Sequence, residues 1–451
     1  MKSGDGQYQK MTETSVLKLL VSLAVPTMIT MLVTSIYNVA DTYFVSQLGT
    51  RASGAVGIVF SLMAVIQAVG FTVGMGAGST ISRLLGKKEE EKALKIASSA
   101  LFTAVIFGAA LSVAGLCFLE KLMLLMGATK TILPYAMDYA RYILYVAPVM
   151  TASFVLNNLL RAEGRTKLSM VGIGAGSVLN LGLDPLFIFT FDWGISGAAA
   201  ATAISQCVSF LILLFFFLRK KTMIHFSVRY LSADVSLYKE FLGNGMPSFF
   251  RQGLASVATV ALNHAASYYG DAAVAAMSIV GKIFMMVYCV LIGLGQGYQP
   301  IVGYNYGAKK YGRVREAYRF LMILGTIGMT ALGVGVFFFS SVLLSQFVPD
   351  DPKVVEIGTS ALRLQCAVMP LLPLGVACNM TFQAVGASVK ATFLAACRQG
   401  VFFLPLILIL PRLFGIFAME AAQPAADLAT FFVCLPVMHR FMGRLRDQKD
   451  G

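Results

Sequence analysis

A chain of 451 residues that is 57% hydrophobic and only 13% charged is not a soluble globular protein, because those carry roughly a quarter charged residues. Apolar stretches recur along nearly the whole length, each long enough for a bilayer core of about 30 Å, which takes about 20 helical residues. Their continuity excludes a membrane β-barrel, whose strands alternate, so the expected class is an all-α polytopic membrane protein.

The first apolar run is too long for a cleavable signal peptide and lacks its small-residue cleavage site. The seven cysteines are scattered through apolar segments and read as small hydrophobes. The net charge of +14 reads as loop charge rather than a nucleic-acid surface.

Twelve spans are expected. Span 1, about 15–44, is interrupted by Pro26, whose ring removes a helical hydrogen bond. Beyond it Thr34, Tyr37 and Asp41 share one face. Spans 2, 3 and 4 cover about 53–82, 93–120 and 134–160. Span 5, about 166–190, places Ser177, Asn180 and Asp184 on one face, and Pro185 disturbs the helix at the acid itself. Span 6, about 193–218, carries Thr202 and Gln206 four residues apart. The connection 221–240 leads to spans 7 to 12, at about 241–269, 276–305, 319–347, 358–382, 396–417 and 420–442. The expected organisation is therefore an N-lobe of residues 1–220, a connecting loop and a C-lobe of residues 241–451.

Lys and Arg crowd the two tails and every second loop. Arg83, Lys87, Lys88, Arg161, Arg165, Lys220, Lys221, Lys309, Lys310, Arg313 and Arg444 are among them. The intervening loops hold only Arg51, Lys121, Lys130, Lys353 and Arg412. That bias places both termini in the cytoplasm and the chain in the cell membrane. Five further basic residues, Arg141, Arg251, Lys282, Arg363 and Arg398, fall inside spans or near their ends.

The two halves repeat. Shifting Gly49–Lys88 by 221 residues lays it on Gly270–Lys309 without a gap, with Gly74 on Gly295, Gly76 on Gly297 and Gly86 on Gly307. Six spans followed by six similar spans make a parallel repeat, whose use is two lobes with alternating access to a site between or within them.

An acid inside a spanning helix costs about 3 kcal/mol or more and marks a functional position unless it caps or pairs locally. Asp41 and Asp184 lie in the outer parts of two helices of the same direction, so they are expected at one depth. A carboxylate pair there suits a proton site, and neutral oxygens from Asn180 and Thr202 make it a candidate Na⁺ site. In the second half, Gln296, Gln299, Asn379, Gln383, Arg398 and Gln399 are expected to form interhelical hydrogen bonds and structural pairs. Thr34, Tyr37, Gln206, Arg251 and Gln252 are candidates for a substrate pocket, with Met and aromatic walls suited to apolar and cationic ligands.

No nucleotide-binding or metal-ligand motif occurs, and "GMGAG" and "GLGQG" lie inside spans as packing glycines. The chain is therefore not read as an enzyme. It needs no cofactor beyond a coupling ion, and its energy comes from an ion gradient.

The segments "YNVADTYFVSQLG", "GMGAGSTISRLLGKKE", "LLRAEGRTKLSM", "NLGLDPLFIF", "GQGYQPIVGYNYGAKKYGRV", "FQAVGAS" and "CRQGVFFLPLILILPRLFGI" resemble the multidrug and toxic compound extrusion (MATE) family over residues 10–442. The resemblance implies two six-helix lobes that expel drugs against H⁺ or Na⁺. Some members carry an acid on span 7, eight residues after its entry proline. Here Pro247 is followed at that distance by Ala255, so the chain looks more like the DinF-like branch with an N-lobe acid pair. Carried over on these motifs are Asp41, Asn180, Asp184 and Thr202, together with Tyr139 at the outer start of span 4. A monomer acting on small organic substrates in the lipid membrane, without nucleic acid, is expected. The alternative is a lipid-linked saccharide flippase of the related superfamily, which Arg251, Lys282 and Arg398 keep open.

Overall fold

The structure is a computed structural model that describes residues 3–219, 222–348 and 351–448. Lys2, Lys220, Lys221 and Lys449 lie outside the described residues. The described chain is helical. In the first half, α1 (Ser3–Glu13), α2 (Val16–Ser46), α3 (Thr50–Gly86), α4 (Glu90–Cys117), α5 (Leu119–Leu125), α6 (Leu133–Ala162), α7 (Thr166–Pro185) and α8 (Gly194–Leu218) follow in order. The second half contains α9 (Val235–Ser267), α10 (Asp271–Gly307), α11 (Tyr311–Phe347), α12 (Pro352–Val368), α13 (Leu372–Ala384), α14 (Ser388–Ala396), α15 (Leu404–Phe414) and α16 (Ile416–Asp447).

Among the described residues, eleven helical segments are long and apolar enough to cross a membrane, α12–α13 and α14–α15 each counting as one. The expected seventh span, α9, has the length but is not among them. One side of it packs against α3, α14 and α10, where Asn244, Ser248 and Arg251 find polar partners, while Val257 and Val260 on its other side are exposed. The apolar side chains on the outside, such as Phe338 at 73% exposure, are the surface that lipid covers.

The two-fold repeat is written into the backbone. Gly49 and Gly270, 221 residues apart, have φ of 103° and 96° and start α3 and α10. No L-residue with a β-carbon holds such a φ cheaply, so glycine is required at both turns. Lys88 and Lys309, again 221 apart, take φ of 61° and 55° in the turns that end the same helices.

The prolines act differently from one another. The helix runs unbroken through Pro26, where the hydroxyl of Thr30 donates to the Pro26 carbonyl at 2.8 Å. Pro185 ends α7, and the next five residues, Leu186–Thr190, form a π-helical turn. A second π-helical stretch, Cys397–Phe403, joins α14 to α15.

The halves meet along a seam of glycines. A β-carbon on Gly76 would lie 2.0 Å from the Phe241 carbonyl, one on Gly245 1.9 Å from the Thr72 carbonyl, and one on Gly307 2.1 Å from the Arg83 carbonyl. Gly293 and Gly297 are pressed likewise against Met28 and Ala24 of α2. Small residues thus let the backbones touch. All these contacts lie in the half of the molecule nearest the basic loops. Farther along the same helices Gly57, Gly253 and Gly281 face open space.

The N-terminal segment bridges the seam at that basic end. Gln7 donates to the Glu163 carbonyl of the first half, while Asn305, Lys310 and Arg313 of the second half donate to the carbonyls of Met11, Thr12 and Thr14.

Candidate functional site

Helix α7 explains how the first-half site is assembled. Gly172, Gly176, Asn180 and Asp184 follow at four-residue steps, so they share one face. The glycines seat this face on α8: Gly172 meets Leu213, Gly176 meets Ser209, and the Ser209 hydroxyl donates to the Gly172 carbonyl at 2.9 Å. Along α8, Gly197 and the buried run Ala198–Ala201 admit the π-helical turn after Pro185. The same close approach delivers Asn180, Asp184 and Thr202 to one spot.

Asn180 Nδ2 donates to Asp184 Oδ1 at 3.2 Å and to Thr202 Oγ1 at 3.3 Å. Tyr139 Oη lies 3.5 Å from Thr202 Oγ1. Asp41 of α2 completes the group, its carboxyl within hydrogen-bonding reach of that of Asp184. Tyr37 lies one turn earlier on α2 and is half-buried. Asp41 is 2% exposed and Asp184 fully buried, and no described Lys, Arg or His lies within 4.0 Å of either.

Three oxygens in this cluster, Asp41 Oδ1, Asp184 Oδ2 and Asn180 Oδ1, have no hydrogen-bond partner among the described residues. Buried polar atoms are nearly always paired. Two carboxylates held together out of water without a counter-charge must share a proton or hold a cation. The donor set is all oxygen, which fits a proton or a hard cation such as Na⁺ and not a soft metal.

Other candidates stand apart from this cluster. Thr34 is half-buried a turn below Tyr37, and Gln206 is half-buried a turn beyond Thr202; neither bonds to the acids among the described residues. Gln252 is half-buried on α9, across the seam. Arg251 donates to Asn379 Oδ1 at 3.1 Å.

The MatE family model matches twice, over residues 26–186 and 247–409. The two matches start at Pro26 and Pro247, 221 residues apart, which is the spacing of the internal repeat. The chain belongs to the MATE family. It is 26% identical over 446 residues to the multidrug export protein MepA of Staphylococcus haemolyticus, covering 99% of this chain and 98% of that one. It is 28% identical over 435 residues to MepA of Staphylococcus aureus, covering 95% and 96%. Its fold superposes with a TM-score of 0.93 on the outward-facing conformation of a multidrug resistance MATE family transporter of the MOP superfamily, at 26% identity and with coverage of 99% and 100%.

The second half of this MATE chain holds buried acids that a span-by-span reading passes over. Asp427 of α16 is 3% exposed and is saturated. It accepts from Arg398 Nε at 2.6 Å, Gln365 Nε2 at 2.7 Å and Gln423 Nε2 at 3.0 Å. Arg398 also stacks 4.5 Å from the Tyr288 ring centre. Glu420, one turn into the same helix, accepts from Ser360. Both acids lie inside the predicted twelfth span, which was signal enough to flag them.

Two arginines counted with the loops belong to the interior. Arg83, at 9% exposure in α3, donates to the Ala384 carbonyl and to Glu240 at 2.7 Å. Arg161 ends α6 and bonds Gln296 of α10 across the seam. In the connection, Glu163 accepts from the backbone N–H groups of Met223 and Ile224 at 3.0 and 2.8 Å. Burial pushes its carboxyl up to about 7, with those bonds and Arg165 opposing.

Proposed function

We propose that this chain is a multidrug efflux antiporter that expels amphipathic, cationic organic compounds by alternating access, driven by H⁺ or Na⁺ entering at Asp41 and Asp184. The observation that carries the reading is the contrast between two sets of buried acids. Asp427 has its charge matched by Arg398 and its oxygens filled. Asp41 and Asp184 have neither, which leaves them a proton or cation to bind and release. Asn180 and Thr202 border the same pair, Asn180 donating to Asp184 Oδ1 and to Thr202 Oγ1 while its own Oδ1 is left over for a cation.

Two features support alternating access. Glycines bring the backbones of the two halves together at several points of the seam, and farther along the same helices the glycines face open space, which supports a contact that can part at one end. The named relatives are multidrug export proteins. Ala255 leaves the α9 position without an acid, so the N-lobe pair serves as the ion site, as in the DinF-like branch. The excess of Lys and Arg in the tails and every second loop supports an orientation with both termini in the cytoplasm. Ordering of events follows from charge. Protonating or metallating the pair removes a buried repulsion, which favours a tighter N-lobe and release of bound cation.

Efflux of a fluorescent organic cation from proteoliposomes, with Na⁺ and pH gradients imposed separately, tests this reading. The second reading, a lipid-linked saccharide flippase, is favoured by one observation, the acid-free pair Arg161 and Arg251 in the seam. Gradient-independent movement of a lipid-linked saccharide, with no efflux of the cation, would decide for it.

A further inference from the structure

Two guanidinium groups sit in the seam with no acid beside them. Arg161 is 5% exposed and donates to Asn158 Oδ1 at 2.8 Å and to Gln296 Oε1 of α10. Arg251 of α9 donates to Asn379 Oδ1 at 3.1 Å and reaches the Met75 sulfur of α3 at 3.5 Å. The two cations are close enough to repel one another. No described Asp or Glu approaches either within 4.0 Å. Met75 and Arg161, with Ser79, Gln296 and Gln299, wall a cavity of about 20 Å³, room for about one water molecule.

Amide oxygens satisfy N–H groups but not the charge, and a buried unmatched charge is costly. The carbonyl end of α6 offsets part of it for Arg161, which lies in the last turn. Arg251 is in the middle of α9 and has no such end nearby. Each guanidinium has five donors and uses two here. Its planar fork matches a carboxylate or phosphate two bonds at a time.

We propose that Arg161 and Arg251 form a subsite for the anionic group, carboxylate or phosphate, of an amphipathic ligand that enters when the halves part along this seam. The subsite rests on the alternating-access reading, because the present cavity admits only water. It lies on the opposite side of the charge balance from Asp41 and Asp184. A purely cationic substrate has no partner there, whereas a ligand bearing an anionic head is held at the seam.

Isothermal titration of the purified protein in a non-ionic detergent with dodecyl phosphate and dodecanoate tests this, with dodecyltrimethylammonium as the cationic control. Both anions are expected to bind. Arg161→Gln and Arg251→Gln should each weaken them about tenfold, the loss of one charge-assisted contact. Lys121→Gln, in the short helix α5, should leave binding unchanged. If Arg161→Gln does not fold, Arg161→Lys keeps the charge, loses the fork and should give a smaller weakening. In nanodiscs, competition by phosphatidylglycerol but not phosphatidylcholine assigns the subsite to a lipid headgroup. Its absence, with dodecyl phosphate still bound, assigns it to a free amphiphile. Opening is read independently by maleimide labelling of Ser79→Cys. Labelling without anion binding, or equal binding by all variants, overturns the subsite and leaves alternating access standing; absence of labelling overturns both.

Discussion

Asp41 and Asp184, from helices α2 and α7, bring their carboxyl groups within hydrogen-bonding reach of one another while each keeps an oxygen with no partner. Asp41→Asn and Asp184→Asn retain shape and hydrogen-bonding atoms but remove the charge that binds the ion. Each variant is expected to remain folded, by size-exclusion profile and melting temperature, and to lose gradient-driven efflux in proteoliposomes. Wild-type export by cells carrying both replacements would remove the pair from the mechanism.

The Asp427–Arg398 pair is expected to behave in the opposite way. Removing one partner leaves a buried charge uncompensated, which costs about 3–5 kcal/mol. Asp427→Ala should therefore lower the melting temperature sharply. The double change Asp427→Ala with Arg398→Leu should recover part of it, and thermal unfolding of the three variants measures the coupling.

The seam should be sensitive to a single methyl group. Gly245→Ala would put a β-carbon 1.9 Å from the Thr72 carbonyl, so the closed seam cannot form without displacement. Gly253→Ala, eight residues on, meets open space. Maleimide labelling of Ser79→Cys should speed up in the first background and stay unchanged in the second.

Glu163 gives a pH signature. Burial holds its folded-state value at about 7, above the 4.5 of the free side chain. Between those values the folded protein keeps the proton and the unfolded chain has lost it, so stability falls as pH rises through that window. A melting series from pH 4 to 8 should show this fall in the wild type, and Glu163→Gln should flatten it.

The spans, the repeat and the acid pair were legible in the sequence because each leaves a linear trace. Twenty apolar residues mark a span, and Gly49 and Gly270 recur at a fixed shift. Ser177, Asn180 and Asp184 share one helical face, as Thr34, Tyr37 and Asp41 do. What linear order hides is the partner across the seam. Arg83 and Arg161 sit at helix ends beside loop cations, and only the packing of α3 and α6 on the second half buries them. Pro26 and Pro185 look alike in sequence. Yet α2 runs on unbroken through its proline, while α7 gives way to a π-helical turn. The difference arises from the small-residue face of α8, which admits the widened turn.

Efflux of a fluorescent organic cation from proteoliposomes, with an imposed Na⁺ or pH gradient, measures the central claim most directly. Wild-type protein should accelerate efflux under at least one of the two gradients, and Asp184→Asn should show no acceleration under either. Equal gradient-driven efflux by wild type and Asp184→Asn would contradict coupling at the acid pair.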